Sequence, residues 1–194
     1  MDIRTGIRNI LAMLVGAGLI VLLIVLLFKA IFGHAAPAQK QVDITKYAET
    51  NVAATFLIDG PTNLDQNHYQ VKITVSAMQT ELDVLQGYQG NVVKTQSYPS
   101  NSSAYGSFLQ SLKLLGFAHG KTASHLDSRG YCPTGSRYTY SFDGNGTDTF
   151  SFWSTSCGGV GTFQGNPAGV RQLFEAQIPP NDLFKLTAGT DVTL

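Results

Sequence analysis

Two cysteines are the residues whose type and spacing predict chemistry most directly. Cys132 and Cys157 are the only cysteines among 194 residues, and an even count without a Cys-x-x-Cys motif is typical of a structural disulfide in an oxidising compartment. Their midpoint falls in the glycine-rich turn at 143–146, so a β-hairpin closed there brings them within bridging distance. The sequence therefore predicts a Cys132–Cys157 disulfide. Two buried free thiols or a redox pair are the alternatives.

Aromatic residues on both strands of that hairpin predict its register. They are Tyr138, Tyr140, Phe142, Phe150 and Phe152. Placing all five on one buried face requires a three-residue loop at 144–146, because a slip by one residue would expose the rings of one strand. This register displaces the two cysteines by one position. We therefore predict a kink or bulge near residues 133–135 that absorbs the displacement.

Arg137 and Trp153 are predicted to be neighbours on the other face of the hairpin. A guanidinium stacked on an indole ring contributes about 0.5–1 kcal/mol at an exposed site. Both residue types are also common anchors of protein interfaces. The pair is therefore a candidate interface, and the alternative places Trp153 in the core beneath another element.

Three further segments contain ligand-type residues without the spacing of a ligand site. His119, His125 and Asp127 fit neither one helix face nor a tight zinc loop. The turn at 143–148 lacks the glycine and the glutamate that a calcium loop needs. The glycine-rich run at 158–165 is followed by no lysine that would bind phosphate. We predict solvated loops at all three places and assign no catalytic residue, metal or cofactor.

Alternation of apolar and polar residues predicts the strands that position these groups. Residues 69–75 alternate most strictly, as in a strand with one buried face. Shorter alternating stretches are bounded by turn residues such as those after Ile58. The predicted strands are at 51–58, 69–75, 82–84, 92–93, 136–142 and 147–154.

Two stretches have the apolar spacing of helices. The first is at 102–115, where apolar residues recur at the 3.6-residue period. The second follows the capping residue Asn166, has Pro167 at its first position and ends at Pro179 and Pro180. Two main helices and five or more strands in this order predict an α+β domain, with the helices packed on an antiparallel sheet.

The N-terminal segment predicts a membrane anchor. No charged residue occurs from Asn9 to Phe28, and about 20 apolar residues at 1.5 Å each span the ~30 Å hydrocarbon core. Lys29 can snorkel at the edge of that span. A signal peptide cleaved after Ala38 is the alternative, although its apolar region would be unusually long.

Flanking charges hardly orient this segment, because Arg4 and Arg8 on one side are balanced by Lys29 and Lys40 on the other. The predicted disulfide decides the orientation, since it places the domain outside the reducing cytoplasm. We therefore predict a single-pass plasma membrane protein with a cytoplasmic N-terminus. Its parts are a cytoplasmic tip and transmembrane helix at 1–32, a linker at 33–43 and an extracytoplasmic α+β domain at 44–194.

Charge composition and the absence of a catalytic constellation indicate the class of function. The 13 basic residues equal the 13 acidic ones, so the main affinity term for nucleic acid is missing. The expected partners are the lipid bilayer and either another envelope protein or a second copy. The sequence thus favours a binding or envelope-assembly module over an enzyme.

Two alternatives to that role are an envelope hydrolase with dispersed residues and a pilin-like subunit. For the second, Gly6 follows Arg4 and precedes an apolar helix, which resembles type IV prepilins. However, Leu11 stands where pilins carry glutamate.

Overall fold

The structure, a computed structural model, describes residues 42–121, 127–144, 146–159 and 161–192, together with Gly16 and Leu22. The predicted anchor at 1–32, apart from Gly16 and Leu22, and most of the predicted linker lie outside the described residues. Within the described residues, no helix combines the length and the apolar character needed to cross a membrane. The residues from 42 onward belong to one folded unit, Gln41–Leu194.

Six antiparallel strands form one sheet. They are β1 (Ala54–Asp59), β2 (Tyr69–Val75), β3 (Gln79–Gln86), β4 (Asn91–Pro99), β5 (Arg137–Phe142) and β6 (Phe150–Thr155). Their order across the sheet is β4-β3-β2-β1-β5-β6. The first four strands follow one another through short connections, whereas β5 returns from far along the chain to pair with the free side of β1. The predicted antiparallel sheet is confirmed.

Among residues 42–192, as far as the structure describes them, three helices accompany the sheet, so the fold is α+β. They are α1 (Ser102–Leu114), α2 (Pro167–Glu175) and α3 (Pro180–Thr187). The side chains of Asn101 and Asn166 cap α1 and α2 by accepting backbone N–H hydrogen bonds. The sequence predicted two main helices and missed α3, because two consecutive prolines, Pro179 and Pro180, are typical of the end of a helix. Pro180 instead occupies the first turn of a new helix, where a missing N–H costs nothing.

The apolar core lies between the helices and one face of the sheet, here called the helix face. Ala54, Phe56 and Ile58 on β1 alternate onto this face and are fully buried. The Phe56 ring lies 5.4 Å from that of Tyr140 and 5.5 Å from that of Phe174, measured between centroids. These contacts join the centre of the sheet to α2, and each buried large side chain stabilises the fold by about 1.5–3 kcal/mol.

Apart from Trp153, the aromatic residues of β5 and β6 lie on one face of the hairpin as predicted, but the loop between the two strands is longer than predicted. Tyr140 pairs with Phe152 and Phe142 with Phe150, so the rings share the helix face. The loop runs over 143–149 instead of 144–146 and contains a 3-10 turn, Gly146–Asp148. The Asp148 carboxylate accepts a hydrogen bond from the Tyr47 hydroxyl at 2.7 Å. This long-range contact, which local spacing does not reveal, favours the wider loop.

Replacement of Glu175, at the end of α2, by glutamine should make the fold more stable at alkaline pH. Its Oε1 lies 3.5 Å from Arg171 Nε, and neither atom forms a hydrogen bond within the described residues. Burial raises the pKa of Glu175, and Arg171 opposes the rise. A raised pKa means that wild-type stability falls as pH rises from about 4 through the folded pKa. Glu175→Gln should therefore raise the melting temperature at about pH 8 more than at about pH 4.

The matched control is Glu49→Gln, because Glu49 is exposed. It should shift the melting temperature by little at either pH. Equal shifts for Glu175→Gln at both pH values would contradict an origin in the buried carboxylate. Scanning calorimetry over the two buffers makes the comparison.

Candidate functional site

The second face of the sheet carries mainly polar side chains, and we call it the open face. The three helices pack on the helix face, and alternate residues of each strand point the other way. On β1 the open-face residues are Thr55, Leu57 and Asp59, which are partly exposed. Two groups of charged residues lie on this face in the described part of the chain, and the larger one, at the strand ends near the disulfide, is the candidate site.

Four residues form a polar group at this end, called the Asp59 cluster: Asp59, His68, Gln70 and Arg137. Arg137 Nε and Nη2 lie 2.8 and 2.7 Å from Asp59 Oδ2. His68 Nε2 lies 2.8 Å from Asp59 Oδ1 and has no other partner among the described residues. Gln70 Nε2 donates to the same oxygen at 3.3 Å. Both carboxylate oxygens therefore face donors.

Strand pairing brings these residues together from distant parts of the chain. Asp59 lies opposite Gln70 on β2 and opposite Arg137 on β5. The sequence patterns indicated Arg137 as a candidate but neither Asp59 nor His68. One sequence feature could have indicated Asp59: it is a carboxylate at the last position of an alternating strand, on the face opposite the apolar residues. Its partner across β5 depends on a pairing that local patterns do not specify.

His68 is the most enclosed member of the cluster, with no exposed surface. Its Nδ1 lies 3.0 Å from the Pro61 carbonyl oxygen, which can only accept, so Nδ1 donates. The ring of Tyr88 stacks on the imidazole at 4.1 Å between centroids, and the Tyr88 hydroxyl donates to the Asn63 carbonyl at 2.8 Å. His68 thus links the β1–β2 loop to the β3–β4 turn.

Arg137 and Trp153 are both largely buried, with 9% and 7% of their surfaces exposed. Arg137 directs its guanidinium to Asp59. The Trp153 ring lies 5.3 Å from that of Tyr131, and its backbone N–H donates to Thr162 Oγ1 at 2.9 Å. Trp153 is therefore covered by neighbouring segments. An interface role for this pair stays a prediction.

Cys132 and Cys157 are joined, with 5.7 Å between their Cα atoms, which confirms the predicted disulfide. The predicted kink is a turn in which Gly135 N–H donates to the Cys132 carbonyl at 3.2 Å. Cys132 has a φ of 52°, in the left-handed region that side chains rarely adopt. A Cβ at Gly135 would lie 2.6 Å from Cys132 Sγ, so glycine is required there. The turn also accepts a hydrogen bond from Thr62 N–H, at 2.7 Å on Pro133 O, which ties it to the loop carrying His68.

A second ion pair lies near the middle of the open face. Lys72 Nζ lies 2.8 Å from Asp83 Oδ2, and Thr95 Oγ1 donates to Asp83 Oδ1 at 2.6 Å. Asp83 is only 3% exposed. Burial by itself raises the pKa of Asp83, but the hydrogen bonds from Lys72 and Thr95 outweigh it and leave the pKa below its ordinary value.

Asp83 should therefore contribute to the loss of stability in acid. A lowered pKa gives a contribution that is present above about pH 4 and is lost as pH falls through the folded pKa. We expect Asp83→Asn to be less stable than the wild type at about pH 6 and to lose less stability on going to about pH 2.5. Urea unfolding at both pH values measures this. Asp143→Asn, at an exposed site, is the control, and equal losses for wild type and Asp83→Asn would refute the role.

The other segments with ligand-type residues make contacts of their own. The Asp127 carboxylate pairs with Arg129, while His125 lies outside the described residues. Among the described residues, no three His, Cys, Asp or Glu side chains come together as metal ligands. In the glycine-rich run, the N–H groups of Thr162 and Phe163 donate to the Trp153 carbonyl at 2.9 and 3.0 Å. This segment therefore lies along the outer edge of β6.

Asp59 and Asp83, the two open-face carboxylates that form ion pairs among the described residues, are held by fixed partners. Each oxygen of Asp59 and of Asp83 already accepts from or faces a donor, which suits these carboxylates to shaping a rigid surface more than to moving protons. Known proteins add no functional assignment. The chain matches no protein-family model, and neither curated proteins nor solved structures show significant similarity to it.

Proposed function

We propose that this protein is a single-pass membrane protein whose α+β domain works outside the cytoplasm as a binding or assembly module. The Cys132–Cys157 disulfide is the observation that carries the proposal, because such bonds persist on the oxidising side of the plasma membrane. The apolar stretch of about 20 residues near the N-terminus supplies the anchor. The lipid bilayer is thus one partner of the chain.

The geometry of the domain favours binding over chemistry. The Asp59 and Asp83 carboxylates of the open face are paired, and His68 is enclosed beneath Tyr88. One edge of the sheet, β4, is exposed along almost its whole length. Rigid paired surfaces and exposed strand edges are features through which proteins recognise other chains. The partner is accordingly another envelope protein or a second copy of this chain.

Reporter fusions test the topology. Alkaline phosphatase is active only where its own disulfides form, so a fusion after Leu194 should be active and a β-galactosidase fusion at the same point inactive. Mobility on a non-reducing gel should change on reduction for the wild type and not for Cys132→Ser/Cys157→Ser. The reverse fusion pattern would overturn the proposed location.

Crosslinking tests the binding role. The full chain is treated in membranes with a mild amine-reactive crosslinker and then purified under denaturing conditions. We expect adducts either with itself or with one defined envelope protein. Recovery of the uncrosslinked chain, together with saturable binding of a small molecule by the purified chain, would refute the proposal and favour an envelope hydrolase.

A further inference from the structure

The β4 strand is an uncovered edge of the sheet within the described part of the chain. Eight of its nine residues are exposed and only Tyr98 is partly buried. The opposite edge, β6, is lined by Thr162 and Phe163, whose N–H groups donate to the Trp153 carbonyl. An exposed strand edge offers unpaired N–H and C=O groups to another strand.

The ladder between β3 and β4 shows which of these groups point outward. Ser100 N–H donates to the Met78 carbonyl at 3.0 Å, in register with the β3–β4 pairing. Hydrogen-bonded pairs alternate in an antiparallel ladder, so Tyr98 and Gln96 direct their backbone groups to β3. The N–H and C=O groups of Thr95 and Ser97 consequently point away from the sheet.

Two features limit the free edge to this two-residue window. The register shifts between Val84 and Leu85, which leaves Val93 as an extra, bulged residue before the window. Pro99 follows the window and has no N–H. The Gln96 side-chain amide donates to the Ser97 carbonyl at 3.3 Å, so this acceptor has a local donor until another strand replaces it.

We propose that the window binds the same window of a second copy, antiparallel and about a two-fold axis at Gln96. The inference rests on the proposed assembly role and names the partner. Thr95 of each copy then faces Ser97 of the other. These two hydrogen-bonded pairs give four hydrogen bonds and use every outward donor of the window.

Only this register matches donors to acceptors throughout the window. An axis at Thr95 would place Ser97 against the bulged Val93. An axis at Ser97 would place Thr95 against Pro99, which has no N–H to give. The self-complementary pattern is the reason for assigning a second copy in preference to an unrelated strand.

The side chains of β4 are compatible with the same arrangement. Lys94 is the only charged residue of β4, and the axis at Gln96 sets it opposite Tyr98 of the second copy. No like charges therefore face each other across the new pair of strands. Lys94 Nζ already donates to the Leu186 carbonyl at 2.9 Å, which holds it on the helix face. Exposed Val93 lies opposite Pro99 of the second copy.

Four hydrogen bonds over a short window make a small interface, smaller than that of a stable soluble dimer. Confinement to one membrane raises the effective concentration of the second copy. Association is therefore measured on the full chain in membranes. In dilute detergent solution the same chain should be mainly monomeric.

Disulfide formation between introduced cysteines tests the proposed register between the β4 strands of the two copies. Residues paired on the axis at a non-hydrogen-bonded position have Cα atoms about 4.5 Å apart, which is compatible with a disulfide. We expect Gln96→Cys to form disulfide-linked dimers in membranes at least about tenfold faster than Thr95→Cys, Ser97→Cys or the β3 control Glu81→Cys, because only the first pair meets the distance condition.

Ser97→Pro in the Gln96→Cys background tests whether strand pairing is the cause. Its N–H points outward, so proline is tolerated on this edge, and the melting temperature should stay within a few degrees of the parent value. Dimer formation should be lost. Retention of the dimer would overturn the proposal, as would equal crosslinking rates at all four positions or a faster rate at Thr95 or Ser97.

Crosslinking at Gln96→Cys to a different protein would overturn the second-copy assignment and leave the proposed binding role intact. No crosslinking at Gln96→Cys, together with a defined partner in the amine-crosslinking experiment, would have the same meaning. If neither experiment yields an adduct, both the inference and the proposed function fail.

Discussion

Replacement of Asp59 by alanine is expected to lower the free energy of unfolding by about 3 kcal/mol, the lower end of the range for removing one member of a buried ion pair, because the Asp59 side chain is 20% exposed. The variant leaves the Arg137 guanidinium, whose side chain is 10% exposed, without its carboxylate. It also removes the partner of His68 Nε2. Urea unfolding of the purified chain, followed by the fluorescence of Trp153, the single tryptophan, measures the change.

Two variants separate the charge from the loss of packing. Arg137→Met in the Asp59→Ala background removes the unpaired guanidinium and should recover part of the lost stability, since an apolar replacement of a buried pair is often tolerated. Asp127→Ala removes a carboxylate from a surface ion pair and should change the free energy by less than about 0.5 kcal/mol. If Asp59→Ala costs no more than Asp127→Ala, the cluster does not stabilise the fold.

Removal of the disulfide by Cys132→Ser/Cys157→Ser should lower the free energy of unfolding by about 3 kcal/mol. The two residues are separated by 25 positions, and opening a loop of that size returns chain entropy to the unfolded state. Replacing both residues avoids a lone reactive thiol. The same urea titration applies.

A reductant provides the internal control for this variant. Reduced wild-type protein should unfold at the midpoint of the double variant, and the variant itself should not respond to the reductant. Because the turn at Cys132 accepts the hydrogen bond from Thr62, reduction should also increase amide exchange at Thr62. An unchanged midpoint on reduction would show that the bond contributes nothing to stability.

Local patterns predicted most elements of this fold. Strict alternation located β2, capping residues located the starts of α1 and α2, and aromatic spacing predicted the face of the β5–β6 hairpin. In each case the decisive residues lie within one element or one turn. The helix α3 was missed for an equally local reason, since Pro180 is compatible with both an end and a beginning.

Such local patterns could not predict the Asp59 cluster. Arg137 was singled out, but it was assigned to Trp153 on the same hairpin, while its actual partner lies 78 residues earlier. Predicting a salt bridge between strands requires knowing which strands are adjacent. Turn residues indicate only that consecutive strands are adjacent. The burial of Trp153 depends on the same long-range arrangement, through Tyr131 and Thr162.

The position of β1 in the middle of the sheet has a consequence for biogenesis. A chain synthesised from its N-terminus completes β1 to β4 well before β5, which must close over a long sequence separation and therefore folds late. At ~5–20 residues per second, the roughly 80 residues between the two strands take about 4–16 s to make. During that interval the nascent chain carries an unpaired β1 edge, and chaperone protection should matter most for this intermediate.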